Sequence, residues 1–185
     1  MILLESPPLV AMLLSRELPA SGTGRTDFSD LSLAWKRLSP RLRRLLIDAR
    51  AVHSIETIRR RINISKPEEL ANDYKPTSHP LVTKEPFSSS PVLFVSGHTS
   101  HIEGLPKEDS DAIIEKIFQG FSDEGFYYSH KWRLHDLIIW NNRRVAHRVG
   151  SYNVGGERRR LWRMEVVGDK KPVAYRPNFL RRILG

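Results

Sequence analysis

The sequence predicts an α+β domain that is mainly β, with helices flanking the strands. Two observations carry this. Most apolar runs are short and stop at proline, glycine or serine, as half-buried strands do, and only residues 106–121 sustain a long three- and four-residue apolar repeat. A length of 185 residues with 39% hydrophobic content fits a single globular domain, 1–185, around one core.

Residues 9–18 are an apolar run after Pro7-Pro8, closed by Pro19 and the turn Ser21-Gly22-Thr23-Gly24, and read as a strand. Asp30 can cap a helix through residue 38. Ser39-Pro40 combines an N-cap with a first-turn proline and starts a second helix to about residue 50, just ahead of His53. Residues 64–90, rich in proline, serine and lysine, read as a long loop, and 92–95 as a short buried strand. In 106–121 acidic residues open a helix, and Ile113, Ile114, Ile117, Phe118 and Phe121 line its buried side. Residues 126–132, 136–140 and 161–167 read as further strands, and 170–185 as a basic tail.

Composition removes several function classes. The absence of cysteine excludes disulfides, thiolate zinc sites and cysteine nucleophiles. Residues 1–4 are too short for a signal core, and the apolar stretch 9–14 falls well below the roughly 18 residues of a membrane helix, so a cytoplasmic protein without a membrane partner is expected. A formal charge of +9 favours an anionic partner. Arg41, Arg43 and Arg44, and then Arg59, Arg60 and Arg61, lack interleaved aromatics and glycines, so they read as solvated helix faces rather than a nucleic-acid surface. There is no P-loop, G-x-G-x-x-G or G-x-S-x-G.

The histidines invite a search for a metal site. His98 and His101 lack a third ligand at helical spacing, His130 and His135 flank a strand turn without a partner, and His53 reads as a satisfied packing histidine. His147 lies in W-N-N-R-R-V-A-H-R-V, directly after the apolar run Leu137 to Trp140. Downstream, Arg159 and Arg163 are four apart, which puts both on one face of an extended strand. Same-face guanidiniums repel unless each meets an anion, and their donor forks suit carboxylates and sulfonates. Spacing alone favours the plainer reading, a surface cation stripe.

The run W-N-N-R-R-V-A-H-R-V, followed by R-R-L-W-R-M-E-V-V-G-D, resembles the W-D-N-R-x-x-x-H and R-x-x-x-R-x-x-x-x-G-D signatures of the taurine and phenoxyacetate-herbicide dioxygenases. These are iron(II)- and 2-oxoglutarate-dependent enzymes. The segment from Glu5 to Asp30 is similar to that family's E-T-P-P element, strand and G-G-x-T-E-F-x-D turn. H-P-L-V at 79–82, L-F-V-S-G-H-T-S-H-I-E-G-L-P and Y-Y-S-H-K-W-R-L-H-D-L-I-I-W-N-N-R follow in family order, so the resemblance covers about residues 5–169.

The resemblance implies a partial double-stranded β-helix, a jelly-roll core with flanking helices. It implies hydroxylation of a small anionic substrate, sulfonate or carboxylate, by O2, with conversion of 2-oxoglutarate to succinate and CO2. His147 would be the distal histidine of a two-histidine, one-carboxylate iron(II) site. Arg159 would pair with the distal carboxylate of 2-oxoglutarate, Thr26 would donate to its other carboxylate, and Arg163 would meet the substrate's acid group. Four departures qualify this. The H-x-D motif that supplies the other two ligands precedes the E-T-P-P element in the family, and here only Ile2, Leu3 and Leu4 separate Met1 from Glu5, so a domain incomplete at its N-terminus is expected. Asn141 replaces the usual Asp, Thr23 interrupts the double glycine, and Trp162 stands where histidine is common. A catalytically dead relative that binds an anionic ligand or partner is the alternative, and a basic nucleic-acid module a third. Homo-oligomerisation is open.

Overall fold

The computed structural model describes residues 2–62, 74–121, 127–168 and 170–177. Its elements run β1 (Val10–Glu17), β2 (Thr26–Asp30), α1 (Leu31–Arg37), α2 (Pro40–Leu46), β3 (Arg50–His53), α3 (Ile55–Arg61), β4 (Thr77–Pro80), β5 (Val82–Lys84), β6 (Pro91–Leu93), β7 (Thr99–Ile102), α4 (Lys107–Gln119), β8 (Tyr127–His130), β9 (Leu137–Asn141), β10 (Val145–Val149) and β11 (Arg160–Val166). The architecture is mainly β with few helices, as the sequence predicts. Strands pair antiparallel into sheets of order β11-β1-β9, β10-β2-β8 and β4-β3-β7, with β5 and β6 as a separate pair.

Local chemistry fixes the helices. Asp30 caps α1 by accepting from the Ser32 backbone N–H, and Ser39 caps α2 through Leu42 with Pro40 in the first turn. Helix α2 stops at Leu46 rather than near residue 50. Residues 50–53 become β3 instead, because Ala51, fully buried, sits between His79 of β4 and Ile102 of β7. In α4, Ile114 and Ile117 face the core, and the Ser110 hydroxyl accepts from Ile102 N–H at 2.8 Å, clamping the helix to β7.

Three sequence readings are corrected. The loop expected at 64–90 contains β4 and β5; its residues 64–73 lie outside the described residues. Leu81, Val82 and Thr83 are buried there, and Pro80 is tolerated because β4 is an edge strand with a single described neighbour. Part of the expected tail is structured too, since Lys84 N–H donates to Val173 and Tyr175 N–H to Val82; residues 178–185 lie outside the described residues. Finally, the arginines of α3 are not simply solvated. Arg61 stacks over the Phe118 ring at 4.7 Å and donates to the Thr99 carbonyl, while Arg59 pairs with Glu56.

The larger core lies among α1, β3, β5, β6, β7 and α4, around Trp35, Leu46, Leu81, Leu93, Ile102 and Ile114. A smaller one, Ala11, Phe28 and Trp140 with Leu13, Ile138 and Val145 against it, fills the space between the β1 and β2 sheets. This second core carries the candidate site. Among the described residues no helix is long and apolar enough to cross a membrane.

Candidate functional site

Strand β2 is the hinge of the site. Its alternation puts Thr26 and Phe28 on one face, with His147 opposite Phe28 on β10 and His130 opposite Thr26 on β8, and directly opposed residues share a face. Asp27 and Ser29 point to the other face, where Ser129 Oγ and Arg148 Nε donate to the Asp27 carboxylate at 2.6 and 3.1 Å. Asp27 therefore points away from His147. The sequence reading assigned no strand here, because T-D-F-S-D is mostly polar.

His147 sits in the middle of β10, its ring 4.9 Å from Trp140 and 6.1 Å from Phe28 between ring centroids. Burial pushes its pKa down to about 4, the nearby Arg163 pushes the same way and Glu165 opposes. A neutral imidazole at neutral pH is the form that ligates a metal. Among the described residues no cluster of three or more histidine and acidic side chains is placed to hold a metal ion. The described residues therefore form no three-ligand set around His147.

Arg159 and Thr26 meet. Arg159 Nε donates to the Gly24 carbonyl at 2.8 Å and Nη2 to Thr26 Oγ1 at 3.0 Å, with the Tyr152 ring 5.8 Å from the guanidinium carbon. Gly24 permits this approach. It has φ +76°, and a Cβ there would stand 2.9 Å from Arg159 Cδ. Trp132 Nε1 also donates to Thr26 Oγ1, at 2.9 Å. A hydroxyl has two lone pairs and one proton, so the Thr26 O–H, accepting twice, keeps its proton for a further acceptor. The described contacts of Arg159 are neutral oxygens and an aromatic ring, and partial burial lowers its pKa. A half-buried cation and a hydroxyl thus stand side by side, and both are donor types that bind carboxylates. Trp132 had no sequence signal, because it reaches Thr26 across 106 positions.

Arg163 projects from the same side of β11 as Glu165 and donates to its carboxylate. Across β1, Arg163 opposes Leu13 and Glu165 opposes Ala11, which puts both on the face that carries Trp140 and Ile138. Both act electrostatically on His147. The structure thus brings Thr26 and Arg159 into contact, and Arg163 lies within electrostatic reach of His147.

The W-N-N-R motif braces this arrangement. Asn141 donates through Nδ2 to the buried Glu85 at 2.8 Å and accepts from Arg143 N–H at 3.0 Å. Glu85 also accepts from the backbone of Phe87 and Ser88, which holds its pKa low despite burial. Arg143, 5% exposed, donates to the Pro7 and Lys170 carbonyls, and Asn142 to that of Pro8. A Cβ at Gly168 would stand 2.6 Å from both Arg143 Nη2 and the Pro7 carbonyl. His130, expected to lack a partner, binds Tyr128 Oη and Asp136 Oδ2, both at 3.0 Å. His53 is only half satisfied: Nδ1 meets Thr99 Oγ1 at 3.2 Å, while Nε2 is buried without a partner among the described residues.

Comparison with known proteins gives this geometry a context. The model of the taurine catabolism dioxygenase TauD, TfdA family matches residues 1–164. An alpha-ketoglutarate-dependent 2,4-dichlorophenoxyacetate dioxygenase of Cupriavidus pinatubonensis is 32% identical over 160 residues, 86% of this chain and 55% of the relative. A Burkholderia enzyme of the same description is 33% identical over 161 residues, 86% of this chain and 54% of its own length. The chain thus spans about half the length of the curated relatives it matches. Among solved structures, AAD-2 in complex with Mn(II) and N-oxalylglycine superposes with a TM-score of 0.83 at 26% identity, over 92% of this chain and 68% of that one. A taurine dioxygenase from Burkholderia xenovorans gives 0.74 at 25% identity, over 97% and 61%. Matched by the family model over nearly its whole length, the chain belongs to the taurine catabolism dioxygenase TauD, TfdA family.

Proposed function

We propose that this chain carries the 2-oxoglutarate cradle, one iron-binding imidazole and the substrate-facing arginine of an iron(II)- and 2-oxoglutarate-dependent dioxygenase with a jelly-roll core. The observation that carries the reading is the doubly accepting Thr26 hydroxyl beside Arg159, a pairing of donors suited to a carboxylate. The 26% identical neighbour holds N-oxalylglycine and Mn(II), a dicarboxylate ligand with a divalent metal, which agrees with it. In this reading Arg159 anchors the distal carboxylate of 2-oxoglutarate, Thr26 donates to the other, and Arg163 receives the acid group of a small organic substrate. Iron(II), 2-oxoglutarate and O2 together supply substrate hydroxylation with release of succinate and CO2. His147 holds one metal position, and the other two ligands come from outside the described residues.

A second reading, a ligand-binding relative without turnover, draws on the single described metal ligand. Anaerobic addition of iron(II) and 2-oxoglutarate, then O2 with succinate quantified, separates the two. With the unmatched segment of the Cupriavidus relative fused to the chain, succinate is expected, and His147→Ala abolishes it. The 185 residues alone are expected to bind iron(II) weakly and form none, because even loss of a group supporting a ligand typically costs about 10- to 100-fold. Absence of succinate from the fused protein, with its cradle still binding N-oxalylglycine, favours the second reading.

A further inference from the structure

The turn between β8 and β9, residues 131–136, carries Trp132 to the Thr26 hydroxyl, and a set of hydrogen bonds fixes its shape. Asp136 closes it: Oδ2 accepts from the Arg133 N–H at 2.8 Å and from His130 Nε2 at 3.0 Å. Ser15 of β1, fully buried, pins it from the side, its Oγ donating to the Arg133 carbonyl at 2.6 Å and its N–H to the Asp136 carbonyl at 3.0 Å. The Arg133 N–H is the main cause that holds the Asp136 pKa below the usual carboxylate value, so this carboxylate is ionised at neutral pH and can only accept. Nε2 must therefore carry a proton, and that tautomer leaves Nδ1 to accept from the Tyr128 O–H at 3.0 Å. His130 is clasped at both ring nitrogens.

Held this way, the imidazole meets the Trp132 indole edge to face, with ring centroids 4.7 Å apart and planes at 83°. His130 lies directly opposite Thr26 across β8 and β2, so both side chains share a face, and the indole N–H spans to Thr26 Oγ1 at 2.9 Å. We propose, on the dioxygenase reading above, that His130 is a positioning residue: it fixes the indole N–H on the Thr26 oxygen and so keeps the hydroxyl proton aimed at the 2-oxoglutarate carboxylate. Trp132 Nε1 and Arg159 Nη2 together occupy both lone pairs of that oxygen. If the indole swings away, one lone pair is released, the hydroxyl can rotate, and its proton is no longer presented in one direction. A side chain that only packs would weaken the site whether or not Trp132 can donate. A positioning residue has nothing left to position once the indole N–H is gone, so the two losses do not add.

The test joins calorimetric titration of the 185-residue chain with N-oxalylglycine and Mn(II) to the indole N–H resonances of the metal-free chain, where the Trp132 signal is the one missing from Trp132→Phe. Trp132→Phe and His130→Ala are each expected to weaken N-oxalylglycine about three- to tenfold, the span of one hydrogen bond, and the double variant to bind as Trp132→Phe does. His130→Ala should also move the Trp132 signal. His130→Phe keeps a ring against the indole but loses both hydrogen bonds; it should change binding and signal in the same direction, and it serves if His130→Ala does not fold. Losses that add in the double variant, or a Trp132 signal unmoved by either His130 variant, overturn the proposal. Failure of the wild-type chain to bind N-oxalylglycine counts against the dioxygenase reading instead, and the indole signal still decides whether His130 holds Trp132.

Discussion

At the scale of single residues, Asn141 shows how a departure from a family motif is compensated nearby. Its amide donates to Glu85, 2% exposed, so an aspartate there would set two carboxylates together in a buried place. Asn141→Asp is expected to lower stability by about 1–3 kcal/mol, and Glu85→Gln in the same chain to recover part of it; thermal denaturation of the single and double variants reads this. His53 makes a second prediction. Burial, reinforced by His79 and His98, pushes its pKa down to about 3, below its unfolded value, so the folded state favours the neutral ring. Its contribution is fully present above about pH 6.5 and is lost as pH falls toward 3, by up to roughly 1.4 kcal/mol per pH unit. Burial displaces His79 in the same direction. Denaturant midpoints between pH 7.5 and 5 should fall more steeply for the wild type than for His53→Asn, and parallel slopes would show that His53 does not drive the acid loss.

At the scale of elements, legibility followed patterning. Strand β1, helix α4 and both capped helix starts were readable because apolar period and capping residues agree there. Strands β2, β3 and β7 were not. Their residues, T-D-F-S-D, R-A-V-H and T-S-H-I, are polar or short, and tertiary pairing decides them. The sheet β11-β1-β9 carries a further consequence. Its outer face aligns Met12 with Ile139 and Met164, and Leu14 with Leu137 and Trp162, and Ile139 is 58% exposed. A contiguous apolar sheet face is an association surface rather than scattered exposure. The isolated chain should therefore self-associate through it with a second copy, and Ile139→Lys with Met164→Lys should shift sedimentation toward the monomer. Sedimentation unchanged by the pair of lysines would place the contact elsewhere.

At the scale of the whole molecule, the candidate site is assembled from segments far apart in sequence: Gly24 and Thr26, Trp132, His147, and Arg159 to Glu165. His147, Thr26, Arg159 and Arg163 were legible through the family motifs and the four-residue arginine spacing. Trp132 and Glu165 were not, since each matters only through a partner that folding supplies. The central claim is the carboxylate cradle, and titration calorimetry with N-oxalylglycine in the presence of Mn(II) tests it most directly. The wild-type chain is expected to bind one equivalent. Thr26→Val and Arg159→Lys should each weaken binding about tenfold or more, roughly 1.4 kcal/mol, while Arg163→Lys changes it by less than about twofold. Undetectable binding to a folded chain, or equal losses in all three variants, would contradict the cradle.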